Sequence, residues 1–251
     1  MFRNAEESHQ HSLQTLNQLY EYDDFMESIT TLVDLGCGDG LDLQWWSTRT
    51  TRDDNPRPLN IQCVGVDIID AVPTIKKHSN SVYHRANFEH NTVIPKRTRY
   101  DILWSHDSFQ YCINPLETLK LWRTIANKDA MLVLIVPQTT NIENRQMSFY
   151  QLSGCFYHYS IVSLIHMLAI TGWDCKSGFF KKNPTDNWLH AIVYKSAHEP
   201  LDPQTTTWYD LAEKKLLPLS AEQSIEKHGF LKQQDLVLPW IDKNLTWFGK
   251  Q

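Results

Sequence analysis

The sequence predicts a doubly wound α/β fold, with a mainly parallel sheet of seven strands that ends in an antiparallel hairpin. Helices precede the sheet and an extension follows it. Three observations predict this. Short apolar runs alternate with helix-like periods through residues 31–196, the pattern of strand–helix–strand units. A glycine loop, Gly36-Cys37-Gly38-Asp39-Gly40, joins the first apolar run to the first helix-like one. Residues 131–136 are six apolar residues in a row, stopped by Pro137, and such a run is stable only when both its faces are buried.

Within residues 8–29, Leu13, Leu16, Leu19, Tyr20 and Phe25 recur at three- and four-residue spacing. This predicts one or two helices inside an N-terminal cap, residues 1–30. Residues 31–35 form a first strand that stops at Gly36, and 41–47 a helix; 48–60 is a polar, proline-bearing loop. A second strand over 61–68 ends near Asp67, a weaker third covers 81–86, and a fourth covers 100–104. Residues 115–126 read as a helix with Pro115 in its first turn, and 161–171 as an apolar helix closed by Gly172. Strands over 175–180 and 189–194 flank a turn-like Lys181-Lys182-Asn183-Pro184-Thr185-Asp186-Asn187, which predicts a hairpin. The sheet domain then spans 31–196, with a cap insertion at 138–159. Residues 197–251 remain, rich in Trp and Leu and cut into short pieces by Pro200, Pro203, Pro218 and Pro239. So much apolar surface must be covered, first of all by packing on the chain's own core. A homodimer contact and a lid over a site stay open.

A net charge of -5 and a pI near 6.1 argue against a broad nucleic-acid footprint. The small basic run Lys96, Arg97, Arg99 reads as a solvated loop, or as a contact for a phosphate or carboxylate. The cysteine count is five, odd, with no Cys-x-x-Cys pair, as a reducing compartment permits. Met1 to Glu7 is polar and acidic, unlike a secretory signal, and no apolar run approaches the roughly 20 residues of a membrane span. A cytoplasmic location without membrane attachment is expected. The eleven histidines show no ligand-like spacing with cysteine or acid, so no metal is implied.

The glycine loop carries the chemistry. Alternating glycines let the backbone turn sharply and bring a ligand close to main-chain amides. A dinucleotide fingerprint would need glycine at position 41, where Leu41 stands, and a phosphate loop would need Gly-Lys-Ser/Thr, which is absent. Asp67, at the tip of the second strand, suits both ribose hydroxyls of an adenosine. Its plainer alternative is a strand-end or capping residue.

Asp34-x-Gly36-x-Gly38-x-Gly40 resembles the first motif of class I S-adenosylmethionine-dependent methyltransferases, and Gly65-Val66-Asp67 resembles their second. Tyr100 to Ser105 is similar to the fourth-strand motif of that family and Met131 to Pro137 to its fifth strand, so the likeness covers residues 30–195. It implies a Rossmann-like fold with S-adenosylmethionine as cofactor. Asp34, Gly36, Cys37 and Gly38 then face its methionine part, and Asp67, with Ile68 beside it, holds the ribose. Asn87 stands where the family often has Asp toward the adenine, Phe88 lines the ring, and Ser105 completes the set.

Trp104-Ser105-His106-Asp107 leaves the fourth strand at the edge where such sheets bind ligands. His106 is the candidate for proton removal or substrate orientation, since imidazole titrates near neutrality. Asp107 either orients it or binds a cationic substrate. The alternative is that both only contact the cofactor. Tyr22 from the N-terminal cap, with Tyr150 and His158 from the insertion, are candidate substrate contacts. Aromatic rings there suit a methylated ammonium, or fill a core beneath the cap. The expected activity is in-line methyl transfer to a small-molecule acceptor, with no nucleic acid as partner. The absence of an Asn/Asp-Pro-Pro-Tyr signature weighs against base methylation. An RNA or protein methyltransferase and a catalytically silent cofactor- or partner-binding subunit are the rivals.

Overall fold

The computed structural model describes residues 5–22, 28–70, 79–90, 98–138, 156–182, 188–242 and 247–248. Helix α1 (Ala5–Glu21) leads into β1 (Thr31–Leu35), the glycine loop and α2 (Leu41–Ser47). Then follow β2 (Gln62–Asp67), β3 (Ser81–Arg85), β4 (Tyr100–His106), α3 (Pro115–Ile125) and β5 (Ala126–Pro137). Helix α4 (Ile161–Ile170) and the hairpin of β6 (Trp173–Lys182) and β7 (Trp188–Lys195) complete the sheet. Asn114 caps α3 by accepting from Glu117 N, with Pro115 in the first turn, and Ser160 and Ser163 form a reciprocal capping pair on α4.

The seven strands lie in the order β3-β2-β1-β4-β5-β7-β6. Strands β1 to β5 pair in parallel, and β7 runs antiparallel to both β5 and β6. The hairpin therefore inserts its second strand into the sheet and leaves its first at the edge. Burial explains the choice: the first six residues of β7 are all buried, whereas β6 exposes Lys176 and Ser177. Strand β5 also begins earlier than its apolar run, at Ala126. Between the pairs Tyr100↔Ala126 and Ile102↔Met131 its register slips, so residues 127–130 bulge out at the start of the strand.

Alternation along the strands divides the core in two. Val33, Leu35, Leu103, Leu132, Leu134, Val136, Leu189, Ala191 and Val193 face α3 and α4. Leu32, Ile102, Trp104, Met131, Val133, Ile135, Trp188 and Ile192 face α1 and α2. The extension contributes α5 (Trp208–Glu213), α6 (Leu219–His228) and a small pair, β8 (Val237–Leu238) with β9 (Trp247–Phe248). Its Leu211, Leu216, Leu217, Ile225, Leu236 and Leu238 join the first cluster, and Trp240 joins the second. It also covers the edge strand, since Cys175 N donates to Leu216 O and Phe180 N to Pro239 O. Unpaired edge amides are thereby satisfied within the chain. No helix of the described residues is long and apolar enough to cross a membrane.

Candidate active site

The turn after β1 needs glycine for two different reasons. Gly36 has φ +89°, and a Cβ there would stand 2.1 Å from Ser108 Oγ, so the loop packs directly on the segment that follows β4. Gly38 has φ +51°, and a Cβ there would meet nothing within 4 Å among the described residues, so with respect to them this part of the loop is open. Gly38 N donates to Asp67 Oδ2 (2.8 Å) and Ile69 N to Asp67 Oδ1 (3.2 Å). The tip of β2 is thus tied to the loop.

Carboxylates gather at this edge. Asp34 is buried, and among the described residues its Oδ2 has no hydrogen-bond partner. Burial, reinforced by the charges of Asp42, Asp67 and Asp39, pushes its carboxyl well above the ordinary value. Asp39 is raised as well, mainly by burial. The acids Asp39, Asp42 and Asp67 lie close enough for their charges to act on Asp34, a crowding that a cation would relieve.

Asp42, in the first turn of α2, is the hub of the site. Its Oδ1 accepts from Ser12 Oγ (2.6 Å) and lies 2.5 Å from His9 Nδ1. Its Oδ2 accepts from Trp104 Nε1 (2.9 Å) and lies 3.1 Å from His106 Nδ1. Burial alone would raise this carboxyl, but the hydrogen bonds from His106, His9 and Ser12 outweigh it and hold the group well below the usual carboxylate range. His9 is raised in turn, chiefly by its bond to Asp42. An ionised carboxylate only accepts, so a neutral His106 keeps its proton on Nδ1 and leaves a lone pair on Nε2. That Nε2 is buried and has no partner among the described residues.

His106 also begins a row across the sheet. It pairs with Ile135 on β5, Ile135 with His190 on β7, and His190 with Lys181 on β6. Helix α1 meets the row with its own polar stripe, His9, Ser12, Thr15 and Gln18, at three-residue spacing. Thr15 Oγ1 lies 2.9 Å from His190 Nδ1, and Lys181 Nζ donates to Gln14 Oε1 (3.1 Å) and Gln18 Oε1 (3.4 Å). Burial first, then the neighbouring Lys181, His106 and His11, hold His190 well below its ordinary value, so the ring is neutral. A polar layer is thus buried between helix and sheet.

The residues picked out by sequence fall into three groups. Asp34, Gly36, Gly38, Asp67 and His106 converge on one edge. Phe88 lies against Gly36, 3.3 Å from the position of a Cβ there, and packs edge-on to Trp122. A second group has structural partners. Ser105 Oγ donates to Leu35 O (3.0 Å) and Asn87 Oδ1 accepts from Glu89 N (2.9 Å). The buried Cys37 sulfur fills the space that a Cβ on Gly65 would need, 2.8 Å away. A third group stands differently from expectation. The carboxylate within hydrogen-bond distance of His106 Nδ1 is Asp42, where the sequence offered Asp107. Asp107, at φ +52°, accepts from Gln110 Nε2 (2.5 Å) instead.

Ile68 is 64% exposed. Tyr22 packs edge-on against Phe179, and 13 residues of helical rise, roughly 20 Å, separate it from His9. His158 lies beside Gln138 just beyond β5, its ring held below the ordinary value by burial. Tyr150 lies outside the described residues. Sequence reasoning missed Asp42, His9 and His190. The readable signal was the polar stripe of α1, which lies on the same helix as Leu16 and Leu19.

A family model described as "Methyltransferase domain" matches residues 6–177, about two thirds of the chain. No curated protein matches it. Similar solved structures include the CurJ carbon methyltransferase (TM-score 0.51, 13% identity, 67% of this chain and 49% of that one). Another is an O-methyltransferase family protein from Burkholderia thailandensis (TM-score 0.53, 14% identity, 75% and 57%). A third is the plantazolicin methyltransferase BpumL in complex with SAH (TM-score 0.51, 13% identity, 75% and 88%). The chain spans about half the length of the CurJ chain. At these identities the likeness shows a shared fold. With the family match over most of its length and a Rossmann-like class I sheet beneath it, the chain belongs to the methyltransferase-domain family.

Proposed function

We propose that the chain is an S-adenosylmethionine-dependent methyltransferase that acts on a small, proton-bearing acceptor, with His106 as the base and Asp42 as its positioning residue. The observation that carries this reading is the convergence, at one sheet edge, of the open Gly38 cradle and the Asp42-held His106. SAH bound to BpumL, a structure of the same fold, supports the cofactor.

The unpartnered Asp34 oxygen and the surrounding acids fit the positive charge of a sulfonium and an amino group. Asp34, Gly36 and Gly38 would hold the methionine part, Asp67 the ribose hydroxyls, and Phe88 would flank the adenine. The cofactor supplies an activated methyl group for in-line displacement. What remains for the protein is alignment, exclusion of water and removal of one proton. His106 Nε2 receives the proton of the acceptor's N–H or O–H, and the Asp42 carboxylate, already stabilised by its other donors, steadies the imidazolium that forms. Helix α1 closes the layer above them, so the N-terminal segment is part of the active centre. The acceptor enters beside His158, at the end of β5.

Calorimetric titration with S-adenosylmethionine and S-adenosylhomocysteine tests this reading. Wild type binds both, and Gly38→Arg and Asp67→Ala each weaken binding at least tenfold, about 1.4 kcal/mol. No binding by a folded wild type would end the enzyme reading. Methyl-labelled cofactor offered to metabolite, RNA and protein fractions then identifies the acceptor class, and label in the RNA or protein fraction alone would contradict the small-molecule assignment.

A further inference from the structure

The opposite edge of the sheet, where β4 and β5 begin and β7 ends, carries a second concave site. A cavity of about 400 Å³ is lined there by Arg99, Arg123, Lys128 and Lys195, with Asp129 the acid in its wall. The bulge at residues 127–130 forms one side of it. Met131 to Pro137 alone puts roughly 20 Å of strand between this edge and the candidate active site.

Its charge is poorly balanced. Arg123 is anchored from below: it donates to Gly172 O, Ser196 O and His198 O, and to the largely exposed Glu199. Lys195 Nζ donates to Ala126 O (2.8 Å) and Arg99 to Thr124 O. Among the described residues, no carboxylate lies within 4.0 Å of Arg99, Lys128 or Lys195. Asp101, bonded to Asn127 at the rim, is occupied by Thr30 and Thr31. Burial and then the charges of Arg123 and Arg99 hold the Lys195 amine below its ordinary value, with only Glu199 acting the other way. Crowded cations in a chain of net charge -5 are unfavourable until an anion joins them.

We propose that this cavity is a second binding site, for a small phosphate-bearing anion, on the sheet edge opposite the cofactor. The oxygens of a phosphoryl group, carrying more negative charge than one carboxylate, can accept from Lys195, Lys128 and Arg99 together. The recess suits a small ligand. The small recess and the chain's net charge of -5 disfavour a duplex or an extended strand.

The probe is sodium pyrophosphate, titrated calorimetrically into the full chain at fixed ionic strength. We expect a submillimolar Kd, weakened at least tenfold by Lys195→Gln with Arg99→Gln, and also by the exposed Lys128→Glu, which leaves the fold intact. Asp67→Ala leaves pyrophosphate binding unchanged. Three results would overturn the proposal: no binding beyond that of equimolar chloride, binding indifferent to all three substitutions, or displacement by a short single-stranded RNA that binds more tightly than pyrophosphate.

Discussion

The two faces of the sheet are built on different principles. The face under α3 and α4 is packed with aliphatic and aromatic side chains and closed at its margin by the extension, and the polar groups it buries on α3, Thr118 and Arg123, donate to backbone carbonyls. The face under α1 and α2 has an equally dry apolar base of Trp46, Trp104, Met131, Val133 and Ile192, but toward the loop edge it buries Asp42, His106, His190 and Lys181. A hydrophobic layer needs only volume and shape. A buried polar layer needs every donor and acceptor matched, and an atom left unmatched calls for water, an ion or a ligand. Among the described residues, the unmatched atoms on this face include Asp34 Oδ2, the Nε2 atoms of His106 and His190, and, deeper in the layer, Trp46 Nε1.

The largest way to break this contrast is at Asp42. Asp42→Ala leaves His9, Ser12, Trp104 and His106 without their shared acceptor, and is expected to cost about 3–5 kcal/mol in denaturant melts. Leu168→Ala on the apolar face is expected to cost about 2–5 kcal/mol, so stability alone does not separate the two faces. Asp42→Asn does. It keeps the volume, but its amide can donate where the carboxylate accepted. The expected outcome is a folded protein that binds cofactor normally yet turns over about a hundredfold or more slowly. The same change on the apolar face, Leu168→Met, should leave turnover unchanged.

A smaller effect sharpens the comparison through pH. The folded value of His9 is raised, so its contribution is complete below the unfolded value near 6.5 and is lost as pH rises through the higher folded value. That of His190 is depressed, so its contribution is complete above about 6.5 and is lost as pH falls toward the folded value. Protection of the α1 amides against hydrogen exchange should therefore peak near neutrality and fall on both sides, while α4, whose His166 is likewise held down by burial, should lose protection on the acid side only. His9→Gln should remove the alkaline limb only. A flat α1 profile would contradict the role given to these pairs.

The smallest expected effect is at Tyr22. Its ring lies half-exposed against Phe179, far along α1 from Asp42. Tyr22→Ala should change stability by less than about 1 kcal/mol and leave the Michaelis constant for the acceptor unaltered.

These differences also explain what the sequence could tell. The strand at Met131–Val136 and the loop Gly36–Gly40 were legible because local chemistry demands them: an unbroken apolar run must be covered, and positive φ selects glycine. His106 was legible as a titratable group at a strand end. Asp42 was not, because a lone acid early in a helix has a sufficient local explanation there. Its partners His9 and His106 are 33 and 64 residues away and meet only in the fold. For the same reason Asp107, the neighbour in sequence, looked like the orienting acid. Tyr22 was legible as an aromatic of the N-terminal cap, while its packing against Phe179 appears only in the fold.

The measurement that tests the central claim most directly is the tautomer of His106. Nitrogen-15 NMR of the histidine-labelled chain at about pH 8.5, above the ordinary imidazole value of ~6.5, reads it without any knowledge of the acceptor. Comparison with His106→Gln assigns the signals. A protonated Nδ1 beside a bare, pyridine-like Nε2, lost in Asp42→Asn, is the predicted result. A proton resident on Nε2 in the wild type would mean that Asp42 does not set the base, and the proposed mechanism would fall with it.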